Sequence, residues 1–90
     1  MVMVVKRRGK KESFDEKKLY ASVYSACKEV DMETQACEHL AGRISNEVKH
    51  SLHGRADVTS TEIFGLVIQK LAKSNEAAAF MYETHRDMQI

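Results

Sequence analysis

The sequence predicts a mainly α fold with a small β part (α+β), in which an N-terminal β-hairpin covers a four-helix bundle. Three observations carry this reading. A β-branched opening run, Val2-Met3-Val4-Val5, gives way to a basic turn around Gly9. Beyond residue 15, apolar side chains recur every three to four positions, the period of one helix face. With 90 residues and no proline, the chain has room for one core and nothing that breaks its helices.

The hairpin spans about residues 2–14, with Gly9 as the residue of its polar stretch that takes a positive φ without cost. Two strands alone are marginal in water, so the hairpin must lie on the helices. Asp15 is placed to cap a first helix over about 16–30, whose face is Leu19, Val23, Ala26, Cys27 and Val30. A second helix over about 33–52 repeats the pattern with Ala36, Cys37, Leu40, Ala41, Ile44, Val48 and Leu52. Gly54 follows in the position that favours a left-handed backbone. Thr59 and Glu62 form a capping box, with Val58 and Ile63 as its hydrophobic staple. They open a third helix over about 60–73, carrying Ile63, Leu66, Val67 and Leu71. Ser74 or Asn75 caps a fourth over about 75–88 through Ala77–Tyr82. No Pro/Gly-rich linker separates these elements, and the expectation is a single domain over residues 1–90.

The net charge of +1 argues against a dedicated nucleic-acid binder, but it is unevenly distributed. Residues 1–18 hold seven of the fourteen Lys/Arg against three acids, a local +4, which leaves −3 for the remaining 72 residues. That asymmetry points to phosphate contact at one place. Cys27 and Cys37 have neither CxxC nor zinc-ligand spacing and read as small buried helix residues. No run approaches the roughly 18 apolar residues of a membrane span, and no signal peptide follows Met1, so a cytoplasmic protein is the default.

Nothing resembles a nucleophile elbow, a zinc-protease helix or a phosphate-binding Walker loop, and no catalytic residue is assigned. His50 and His53 read as an exposed pair rather than metal ligands. The basic hairpin has two readings. Its lysines keep a strand edge from pairing with other chains, or Lys6, Arg7 and Lys18 converge as a phosphate clamp.

The run Val4-Val5-Lys6-Arg7-Arg8-Gly9-Lys10-Lys11-Glu12-Ser13-Phe14-Asp15-Glu16-Lys17-Lys18-Leu19 resembles the opening signature of the ATP-cone domain, V-x-K-R-x-G-x-x-E-x-F-x-x-x-K-[IL]. Val58-Thr59-Ser60-Thr61-Glu62-Ile63 with Leu66-Val67 is similar to that family's V-T-S-x-E-I-x-x-L-V segment. Ala79-Phe80-Met81-Tyr82 is similar to its last helix. The resemblance implies a non-catalytic allosteric module that binds ATP or dATP, with Mg2+, beneath a hairpin lid on four helices. Such modules occur at the N-terminus of ribonucleotide reductases and in the repressor of their genes.

Carried onto this chain, the resemblance places Lys6 and Arg7 on the phosphates and Glu12 and Asp15 on the adenine edge. Lys18 adds charge near the nucleotide, and Val4, Phe14 and Leu19 pack the base and sugar. Ser60 matches a hydroxyl position near the ligand, with Thr59 beside it as the alternative contact. Phe64 stands where several reductase cones place a polar residue at the sugar, and His85 or Arg86 falls at a phosphate-binding lysine.

The resulting expectation is a regulatory adenine-nucleotide sensor that controls a ribonucleotide reductase or related system through nucleotide-dependent association. A reductase subunit or a second copy of the chain is the expected partner. The 90 residues include neither a catalytic barrel nor a CxxC-paired zinc ribbon, so the chain is expected to be a free-standing cone or an N-terminal piece of a larger enzyme. A nucleic-acid-associated module that uses the same hairpin is the rival. The acidic balance of the helices ranks that partner lower, and a membrane partner is not expected.

Overall fold

The computed structural model describes residues 2–85. Strand β1 (Met3–Val5) runs through a short 3-10 turn at Arg7–Gly9 into β2 (Lys11–Ser13). Helices α1 (Glu16–Glu29) and α2 (Thr34–Ser51) follow, then β3 (Asp57–Thr59), α3 (Ser60–Ser74) and α4 (Glu76–Thr84). The expected continuation of the last helix to residue 88 lies outside the described residues.

The sheet holds one strand more than the expected hairpin. Its order is β2-β1-β3, with β1 antiparallel to β2 and parallel to β3. Val4 therefore lies opposite Glu12 on one side and Val58 on the other. Val58, read from sequence only as a staple residue, is also the middle of a strand. A three-residue strand shows too little alternation to be seen in sequence. Inward-facing Val4 and Val58 are buried, while Met3 and Val5 on the outer face keep partial exposure.

Among the described residues, three of the four helices start at a side-chain cap, and α2, which follows Glu33, starts without one. Asp15 Oδ1 accepts from the backbone N–H groups of Lys17 and Lys18 at 2.9 and 3.4 Å. Thr59 Oγ1 accepts from Glu62 N at 3.0 Å, while Thr59 N donates back to Glu62 Oε1 at 3.2 Å, which completes the capping box. Asn75 Oδ1 accepts from Ala78 N at 2.9 Å and settles which residue caps α4. Helix α1 ends in a Schellman arrangement: Met32 N donates to Cys27 O at 3.2 Å and Asp31 N to Lys28 O at 3.0 Å. Asp31 takes the left-handed position with φ 59°, tolerated because its side chain is short and polar.

α1 packs chiefly on α2 and α3 on α4, while α1–α4 contacts join the two pairs. Tyr82 is fully buried at that junction. Its hydroxyl lies 3.2 Å from Ser22 Oγ, its ring centroid is 5.6 Å from that of Phe64, and burial pushes its phenol up to about 12. Cys27 and Cys37 are free and fully buried, and desolvation raises the Cys27 thiol to about 11. Among the described residues, no helix is long and apolar enough to cross a membrane.

Replacing Thr59 by alanine removes the cap and is expected to cost about 1 kcal/mol in urea unfolding. Glu62 has its carboxyl held below 4.5 by the Thr59 backbone N–H and then by Arg55, whose guanidinium donates to it at 3.1 Å. A lowered carboxylate stabilises the fold above its ordinary value and loses that contribution as pH falls through its folded value. Glu62→Gln is therefore expected to weaken the acid dependence of stability below pH 4.5.

Candidate functional site

The hairpin, the first turn of α1 and the start of α3 enclose a narrow pocket of about 40 Å³. Alternation along β1 turns Val4 inward, and the Val4–Glu12 register turns Glu12 to the same face. Lys6 leaves the end of β1, and its N–H donates to Lys10 O at 2.7 Å, which closes the turn. That closure requires left-handed backbone at Arg8 (φ 68°) as well as at Gly9 (φ 78°), the only turn residue that sequence reasoning singled out. Phe14 and Leu19 supply apolar wall, Asp15 and Lys18 come from the capped end of α1, and Ile63 comes from α3.

Charge inside the pocket is already organised. Lys6 Nζ lies 2.5 Å from Glu12 Oε2, and Lys10 Nζ lies 4.0 Å from Glu12 Oε1. The Lys6 hydrogen bond is the largest cause holding the Glu12 carboxyl below 4.5, with the charges of Lys6, Lys18 and Lys10 adding to it. Asp15 uses its carboxylate on two backbone amides of α1. Lys11 belongs elsewhere, pairing with Asp57 at 3.3 Å.

Seven residues singled out from sequence line this pocket together: Val4, Lys6, Glu12, Phe14, Asp15, Lys18 and Leu19. Three others do not form its wall. Arg7 lies exposed in the turn, Thr59 has its hydroxyl engaged by the cap, and Ser60 opens α3 with partial burial. Ser13 and Ile63 line the pocket and were not assigned to it from sequence. The signal for Ile63 was the capping box itself, which fixes that residue one turn inside a helix whose first turn meets the sheet. Phe64 is buried against Tyr82 and is not part of the wall. His85 is a correction to expectation: it caps α4 with Nε2 3.1 Å from Glu29 Oε2, at the far end of α1, about 20 Å along that helix from the pocket. Arg86 lies outside the described residues.

A larger cleft of about 670 Å³ opens elsewhere between Val2, Phe14, Leu52 and Ala56, with Lys49, His53 and Arg55 at its rim. Size alone favours it. Its lining, however, carries Lys49, His53 and Arg55 with no carboxylate among them. The smaller pocket is the one where cations, a carboxylate and apolar walls converge.

The model of the family described as "ATP cone domain" matches residues 2–88, which include every pocket residue. The chain belongs to the ATP-cone family. Similar curated proteins share the name Transcriptional repressor NrdR. That of Kosmotoga olearia is 31% identical over 91 residues, covering 97% of this chain and 56% of the relative. That of Thermosipho melanesiensis is 34% identical over 91 residues, covering 97% and 59%. That of Gloeothece citriformis is 35% identical over 77 residues, covering 86% and 42%. The chain thus spans about half the length of these relatives. As an ATP-cone, it is a regulatory domain of a type that binds adenine nucleotides.

If Lys6 is what depresses the Glu12 carboxyl, Lys6→Ala returns it toward 4.5. Side-chain carboxyl shifts followed by NMR across an acid titration check this. A Glu12 midpoint that stays low in the variant assigns the effect to Lys10 and Lys18 instead.

Proposed function

We propose that the domain senses the adenine-nucleotide pool by taking ATP or dATP into the pocket beneath the hairpin. The observation that carries this reading is the convergence of Lys6, Lys18 and Glu12 on one apolar-walled pocket in an ATP-cone chain. Lys6 and Lys18 neutralise phosphate oxygens, and Arg7 reaches them from the turn as a planar, two-pronged donor. Glu12, with Asp15 beside it, accepts from the exocyclic amino group of adenine, whereas guanine presents a carbonyl at that edge and is repelled. Val4, Phe14 and Leu19 cover the base and sugar. Ser60, at the start of α3 where the helix dipole favours negative charge, adds a donor for the phosphates, a role better suited to it than to the cap-bound Thr59. Mg2+ accompanies the nucleotide as the counter-ion of its triphosphate.

The regulated system we infer is ribonucleotide reduction, through the reductase or its genes, with nucleotide-dependent association as the output and no catalysis by this domain. The relatives named as transcriptional repressors speak against ranking nucleic acid below other partners, an order that rested on the acidic balance of the helices and on the lack of a helix rich in Arg, Asn or Gln. The second reading, a hairpin on the nucleic-acid backbone, predicts binding that falls steeply with salt and ignores adenine nucleotides. A gel shift at two salt concentrations, with and without ATP, separates the two.

Calorimetry with ATP and dATP in the presence of Mg2+ is expected to show micromolar-range binding that the Lys6→Ala/Arg7→Ala double variant abolishes. Intact binding in that variant removes the phosphate assignment. No binding of either nucleotide by the folded wild type removes the sensor reading. Sedimentation with ATP and then with dATP is expected to give different association states.

A further inference from the structure

The two side chains assigned to opposite ends of the nucleotide hold each other. Lys6 Nζ, assigned to phosphate, is 2.5 Å from Glu12 Oε2, assigned to adenine, and both side chains are about one-third exposed or less. The pocket they close measures about 40 Å³, well short of the roughly 300 Å³ or more that small-molecule sites enclose. A nucleotide that puts its phosphates on Lys6 and its adenine on Glu12 therefore has to separate this pair. Among the described residues Glu12 has no second cation at comparable distance, since Lys10 stands 4.0 Å away and Lys18 acts on it only through its charge.

We propose that Glu12 is a specificity-determining residue that makes base recognition a condition of phosphate capture, because it releases Lys6 only to a ligand that gives Glu12 a replacement donor. This rests on the adenine-nucleotide reading above and adds to it a coupling between the two ends of the site. A ligand of phosphates alone takes Lys6 but leaves a carboxylate without its hydrogen-bond donor, facing incoming negative charge. That outcome gives up a charge-assisted bond at Glu12 and sets like charges side by side. An adenine nucleotide supplies both halves of the exchange: its phosphates replace the carboxylate at Lys6, and its exocyclic amino group replaces the ammonium at Glu12. The charge-assisted bond that resists bare polyphosphate is thereby converted into two ligand contacts. Selectivity then lies in the partner exchange as well as in the fit of the base.

The probe is inorganic tripolyphosphate, which carries the charge of the nucleotide without its base. Its affinity is measured by calorimetry for the wild type, Glu12→Gln, Lys6→Met and the double variant, after urea unfolding has shown that each is folded. Partner exchange predicts that Glu12→Gln binds tripolyphosphate about tenfold more tightly than wild type, a coupling of the size contacting side chains show. It also predicts that most of this gain disappears in the Lys6→Met background, where no pair remains to be broken. An equal gain in both backgrounds means that Glu12 merely repels anions, and overturns the proposal; so does no gain at all. Wild-type ATP binding measured in the same series keeps the two failures apart. Binding of ATP without the Lys6-dependent gain ends the coupling and leaves the nucleotide reading standing, whereas absence of ATP binding ends both.

Discussion

Strand β1 is three residues long, and both of its edges are paired. This double pairing is the constraint on which the rest of the structure depends. A two-stranded ribbon of this length has too few contacts to hold its own register. The parallel contact with β3 ties the hairpin to the start of α3, and burial of Val4 and Val58 ties it to the core. Register is then fixed, because a slip of one residue would turn Val4 outward and Glu12 away from the helices. The pocket exists as a by-product of that register. Glu12 faces the first turn of α1 because it is opposite Val4, and Lys6 reaches it because the turn brings Lys10 back to the Lys6 amide.

The helices position this sheet rather than supply much of the site. α1 contributes its capped N-terminus, where Asp15 fixes the direction of the first turn and so the placement of Lys18 and Leu19. α1 and α2 together carry the chain from β2 on one edge of β1 to β3 on the other, and parallel pairing of β3 with β1 requires such a crossover. α3 and α4 complete the core through Tyr82, which meets Phe64 and reaches Ser22 of α1. A domain of this size has a thin core, so a ligand held between sheet and α1 adds a large fraction to its stability.

Much of this was legible because the sequence marks its helices at both ends. The Thr59–Glu62 box, the Asp15 and Asn75 caps and Gly54 are local chemistry that needs no tertiary contact to be recognised. Seven pocket residues were legible for a second reason: they sit on positions of the ATP-cone signature that the sequence resembles, six of them in the contiguous run from Lys6 to Leu19. What escaped was set by contacts between distant segments. β3 pairs only because β1 offers an open edge, and three residues carry no period of their own. Arg8 adopts left-handed backbone because hairpin closure demands it, against the preference of its residue type. The sequence leaves open the choice between His85 and Arg86 because where the end of a helix points depends on its packing, and here His85 reaches Glu29 at the far end of α1.

The even total charge conceals a division of labour. Positive groups gather at the hairpin and the first turn of α1, next to one partly buried carboxylate, while the helical body carries the acidic excess. The central claim is that this end of the molecule, and not the larger cleft beside Lys49 and Arg55, receives the nucleotide. Titration of ATP with Mg2+ into the 15N-labelled protein, followed by amide chemical shifts, tests that most directly. The account predicts that the largest changes cluster at Val4–Lys6, Glu12–Leu19 and Ile63. Changes concentrated at Lys49–Ala56 instead, with the hairpin unmoved, would contradict it.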